Sequence, residues 1–136
     1  MLEEIIAYGH PNITAKHRTT LQVTKDEEIT LRADCVIGVR ADKSVRDLSQ
    51  ELKSHLIEGG SVSIAISVGG MEFRLEAVGD PRLRLTHARD VVVRKSDFVD
   101  DRTLVIRSSA AARDLPREMV RVMRRADEVV VMEISF

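Results

Sequence analysis

The chain repeats itself once. Displaced by 70 positions, Met1, Ala7, Gly9, Pro11, His17, Val23 and Lys25 fall on Met71, Ala77, Gly79, Pro81, His87, Val93 and Lys95. Displaced by 67, Asp34, Arg40, Arg46, Asp47, Leu48, Glu51 and Val62 fall on Asp101, Arg107, Arg113, Asp114, Leu115, Glu118 and Val129. Self-similarity on this scale implies two diverged copies of one supersecondary unit that bury their apolar faces against each other. The expected organisation is a single domain over residues 1–136, with one repeat over about 1–68 and a second over about 71–134.

Both halves share a local grammar. A first strand over 3–9 or 72–79 is clearest in the second half, where Phe73, Leu75 and Ala77 alternate with Glu72, Arg74 and Glu76. Gly9-His10-Pro11-Asn12 and Gly79-Asp80-Pro81-Arg82 then read as turns, with Gly for permissive dihedrals and Pro for a fixed φ. A long second strand is expected to carry Ile13, Ala15, Leu21 and Val23 on one face, matched by Leu83, Leu85, Val91 and Val93. A third strand, 35–39 or 103–106, is apolar almost throughout and reads as buried on both faces.

A helix follows in each half. In the first, Asp42 or Ser44 is the expected cap for a stripe of Val45, Leu48, Leu52 and Leu56 that ends at Gly59-Gly60. In the second, Pro116 interrupts the matching stripe, so the regular helix is expected from near Asp114. A strand closes each unit, and Gly69-Gly70 joins the halves as a hairpin turn. The fold class expected is α+β, an internally duplicated βββαβ unit with a mostly antiparallel sheet and two helices.

Charge and composition narrow the function classes. With 21 basic and 22 acidic residues there is no global field to draw in a nucleic-acid backbone, and no Trp with 3% aromatic residues leaves few stacking platforms. Cys35 stands alone, so no intrachain disulfide or cysteine zinc site is available, which leans toward a reducing, cytoplasmic setting. The acidic start Met1-Leu2-Glu3-Glu4 is unlike a secretory signal, and no apolar run approaches the roughly 20 residues that span a bilayer.

The alternation of the second strands puts His17 and Thr19, with His87 and Arg89, on the apolar face. Polar groups so placed need internal partners or a wet cleft. A pseudo-two-fold axis between the copies would bring His17 and His87 together as acid and base, with Arg89 holding an anion. The alternative is that both histidines are satisfied core residues. Lys25 and Lys95 end the same strands and suit either phosphate or solvent, while His10 and Asn12 lie in the first turn. His10, His17 and Asp34 sketch a metal site only weakly, and Cys35 at a buried strand reads as packing. The Arg46-Asp47-Leu48 and Arg113-Asp114-Leu115 repeats read as capping and ion pairing, and Arg117, Arg121, Arg124 and Arg125 form a basic helical run.

The block Gly9 to Thr20, together with Thr24-Lys25-Asp26, Asp34 to Asp42, Arg94 to Phe98 and Asp101 to Leu104, resembles the archaeal domain of unknown function 371 family over essentially the whole chain. That resemblance implies an archaeal cytoplasmic protein and draws attention to His10, Asn12, His17, Thr19, Thr20, Lys25, Asp34 and Cys35, but it supplies no activity. Ala33 stands where the family pattern has Gly. Two functions are therefore expected to compete. One is a small enzyme or ligand-binding protein that takes an anionic, phosphate-bearing molecule between the repeats through His10, Asn12, His17, Thr19, Lys25, His87, Arg89 and Lys95. The other is a non-catalytic module that binds RNA or protein through Arg117, Arg121, Arg124 and Arg125.

Overall fold

The computed structural model describes all residues 1–136. The chain runs β1 (Leu2–Tyr8), β2 (Thr20–Thr24), β3 (Val36–Gly38), a 3₁₀ turn (Val45–Asp47), α1 (Gln50–Ile57) and β4 (Ser61–Val68). It continues β5 (Met71–Val78), β6 (Asp90–Arg94), β7 (Thr103–Val105), a 3₁₀ turn (Ala112–Asp114), α2 (Arg117–Met123) and β8 (Val129–Ser135). The two halves thus present the same succession of elements. Two four-stranded sheets result, ordered β1-β8-β4-β5 and β3-β2-β6-β7, with only β2–β3 and β6–β7 parallel. The α+β, mostly antiparallel class with two helices is as the sequence implies.

Single bridges close the gaps between the sheets. Tyr8 pairs with Val39 and Val78 with Ile106, which joins the two sheets at the ends of β1 and β5. The enclosed core comprises 33 buried apolar residues, among them Ile5, Leu21, Leu52, Leu56, Ile64, Leu75, Val91, Leu104 and Met119. At the β4–β5 hairpin Gly69 and Gly70 have φ of 56° and 78°, the pair of positive values that a two-residue primed turn demands.

Four expectations change. The long second strands are short, because Ala15 (φ 48°) and Leu85 (φ 53°) enter the left-handed region and break the extended run before Thr20 and Asp90. Each helix is split: Ser49, rather than Asp42 or Ser44, caps α1 by accepting Leu52 N–H at 3.2 Å, and Pro116 occupies the equivalent cap of α2. Gly9 and Gly79 are needed for close approach rather than for unusual dihedrals. A Cβ on Gly9 would sit 2.1 Å from the Arg125 carbonyl oxygen, and one on Gly79 would sit 2.0 Å from that of Leu56. Finally, Val62 pairs with Ala77 as Val130 pairs with Ala7, so the partner of buried Val62 is Val130 and not the exposed Val129. The α2–β8 connection is longer than the α1–β4 connection, which moves the register by one.

Candidate functional site

The pairing of β2 with β6 decides how the sequence candidates are distributed. Thr20 lies opposite Arg94 and Thr24 opposite Asp90, so the residues before each strand stand at opposite ends of the ribbon. His17 therefore lies at the Lys95 end and His87 at the Lys25 end, where Lys95 N–H donates to Thr19 O and Lys25 N–H to Arg89 O. No shared histidine cleft forms. The broken strands also turn Thr19 and Arg89 outward, and both are exposed.

Each histidine closes a backbone turn. His17 Nδ1 accepts N–H of Thr19 and Thr20 at 3.2 and 3.1 Å, and His87 Nδ1 accepts N–H of Arg89 and Asp90 at 3.2 and 3.0 Å. An accepting Nδ1 places the proton on Nε2. His10 does the same for Asn12 N–H at 3.0 Å, its Nε2 lies 3.2 Å from Glu28, and Asn12 Nδ2 donates to Ile29 O. In the second half Asp80 replaces His10 and accepts Arg82 N–H at 2.8 Å. No three His, Cys, Asp or Glu side chains converge as a metal site, so the His10, His17 and Asp34 sketch is not assembled.

The repeated lysines are ion-paired. Lys25 Nζ lies 2.6 Å from Asp47 and Lys95 Nζ 3.1 Å from Asp114, which ties each strand end to the 3₁₀ turn of its own half. The Lys25 hydrogen bond, with Ser44 N–H, holds the Asp47 carboxyl well below its usual range. At Asp114 the Ala111 N–H leads and Lys95 follows, in the same direction. Cys35 Sγ–H faces Gln22 Oε1 at 3.4 Å, and burial pushes its thiol up, so it is no ready nucleophile.

Nor do the four arginines in and just after α2 form one open face. Arg117 donates to the carbonyls of Thr14, Ala15, Ala112, Arg113 and Leu115, at 2.9 Å for Ala15. Arg124 reaches Ile13 O at 3.5 Å and Arg125 pairs with Glu128 at 3.7 Å. Only Arg121 among the four is without a polar partner.

Three cavities open on the surface. One of about 440 Å³ is lined by Glu3, Glu4, Asp42 and Glu133 with Lys43, and one of about 570 Å³ holds His10, Asn12, Glu27, Glu28 and Arg40. Both are largely acidic or internally compensated: Glu3 accepts Ser49 N–H at 2.9 Å and Lys43 lies 3.4 Å away. The third, about 410 Å³, is different. Its lining is Lys16, Arg18, Arg113 and Arg117, all cationic. Lys16 and Arg18 come from the irregular segment after the left-handed Ala15, and Arg113 and Arg117 from the second 3₁₀ turn and α2. The junction is held by Arg113 N–H donating to His17 O at 3.0 Å and by the Arg117 guanidinium on Ala15 O. None of the four cations has a carboxylate within 4 Å.

This pocket escaped the sequence reading, which gave Arg113 a capping role and passed over Lys16 and Arg18. The available signal lay where the halves differ. At the sequence displacements that align the halves, Thr86, Ala88 and Gln50 match Lys16, Arg18 and Arg117, and only Arg46 matches a cation, Arg113.

Comparison with known proteins agrees with the pattern blocks. The uncharacterized protein MJ0206 of Methanocaldococcus jannaschii is 37% identical over 126 residues, covering 93% of each chain. The sequence profile described as domain of unknown function (DUF371) matches residues 5–136. The chain therefore belongs to the domain of unknown function 371 family.

Proposed function

We propose that the protein binds a phosphate-bearing small anion in the pocket between its halves, through Lys16, Arg18 and Arg113, with Arg117 as a fixed positive wall. The observation carrying this reading is a cavity lined by four cations and no carboxylate, in a chain whose net charge is −1. Guanidinium and ammonium groups gathered without counter-charge repel one another, and an anion removes that repulsion while supplying acceptors for their N–H groups. The expected role is binding, and the nearby His17 spends its Nδ1 on the turn. We read the halves as diverged copies of one ancestral unit, with the basic pocket as the specialisation of one of the two equivalent junctions between them, and the setting as cytoplasmic.

Thermal unfolding with phosphorylated metabolites tests the reading. A ligand at about 100 times its Kd adds roughly 2.7 kcal/mol of stability. Wild type is expected to shift and the Arg18→Glu/Arg113→Glu variant, folded by circular dichroism, is expected not to. Equal shifts in both would remove the pocket from consideration. Binding of RNA alone, lost with Arg121→Glu, would favour the nucleic-acid module instead.

A further inference from the structure

Resting on the anion-binding reading above, we infer that the ligand is an oligophosphate, two or three linked phosphoryl groups, recognised through its phosphates alone. A single phosphate group carries about −1.5 to −2 near neutral pH, which leaves half of a four-cation lining uncompensated. A diphosphate or triphosphate matches it. Arg117 turns most of its N–H groups toward backbone carbonyls, so it contributes mainly field, while Lys16, Arg18 and Arg113 keep their donors for ligand oxygens.

The lining also lacks something. No apolar or aromatic residue borders the cavity, so a nucleobase or acyl group attached to the phosphates finds nothing to stack or pack against. Tyr8, the single tyrosine, is already covered by the Arg40 guanidinium at 4.3 Å. A long nucleic acid fits less well than a compact anion. The chain has no excess positive charge to attract one. One site per chain follows, because Thr86, Ala88 and Gln50 replace three of the four cations at the equivalent junction and only Arg46 remains.

Calorimetric titration of wild-type protein with orthophosphate, pyrophosphate, tripolyphosphate, ATP and an oligoribonucleotide of about 12 nucleotides tests this. Tripolyphosphate is expected to bind one per chain, on the order of 100-fold tighter than orthophosphate. ATP is expected within about threefold of tripolyphosphate, since its base adds nothing. Binding is expected to disappear in Arg18→Glu/Arg113→Glu, and Thr86→Lys/Ala88→Arg/Gln50→Arg is expected to raise the stoichiometry to two. Equal affinity for orthophosphate and tripolyphosphate would overturn the oligophosphate inference and leave anion binding standing. So would ATP binding at least tenfold tighter than tripolyphosphate. Binding of the oligoribonucleotide alone, or of nothing, would overturn both.

Discussion

Lys25 Nζ lies 2.6 Å from Asp47 Oδ2, and the pair fastens the end of β2 to the 3₁₀ turn that precedes α1. Lys95 and Asp114 repeat the arrangement at 3.1 Å. Both partners of the first pair are about one-third exposed, so water screens the attraction. Lys25→Met is expected to cost about 0.5–1 kcal/mol in urea unfolding and to move the Asp47 carboxyl back up toward 3.8, read by carboxyl NMR. An unmoved carboxyl would mean that Ser44, not Lys25, sets its acidity.

Part of the acid sensitivity is expected at Asp100. Burial opposes its ionisation, but Thr103 Oγ1–H, Arg102 N–H and the Arg94 guanidinium outweigh burial and bring it down from 3.8 to about 2. A carboxyl depressed by folding stabilises the protein above its unfolded value and loses that contribution as pH falls through the folded value. The contribution is roughly 2 kcal/mol above pH 4 and fades toward pH 2. Asp100→Asn is expected to flatten the pH dependence of urea midpoints across that window. An unchanged slope would show that other carboxylates carry the acid response.

The histidines should prove replaceable by a side chain with an acceptor in the same place. Asn Oδ1 takes the position of His Nδ1, so His17→Asn and His87→Asn are expected to keep near-wild-type stability, while the alanine variants lose about 1 kcal/mol each. The protein already makes such an exchange, with Asp80 where the first half has His10. Loss of ligand binding in a stable His17→Asn variant would give the imidazole a role beyond the turn.

Gly9 and Gly79 should be the least tolerant glycines. Alanine at either place drives a Cβ onto a helix-end carbonyl, at an expected cost of about 2–3 kcal/mol in chemical denaturation. Both substitutions being neutral would mean that the helix ends shift freely.

Much of this architecture is legible in the sequence because apolar periodicity and turn residues are local signals. Gly69-Gly70 marks the hairpin, and Leu52 and Leu56 mark the buried face of α1. What local pattern missed were tertiary constraints. The apparent alternation from Ile13 to Val23 concealed a left-handed Ala15 whose carbonyl accepts from an arginine more than 100 residues away, so Thr19, expected on the apolar face, is exposed. The helical arginines looked like a stripe because nothing in their spacing reveals that Arg117 and Arg124 reach the carbonyls of residues 13–15. Lys16 and Arg18 acquire meaning only when Arg113 and Arg117 are brought against them from the other half.

Nitrogen-15 chemical-shift mapping of the full chain during titration with tripolyphosphate tests the central claim most directly. Saturable shifts confined to the amides of Lys16–Arg18 and Arg113–Arg117, with the other two cavities silent, are the expected result. Shifts centred on His10 and Glu28, or on Glu3 and Glu133, or shifts spread over the surface without saturation, would contradict it.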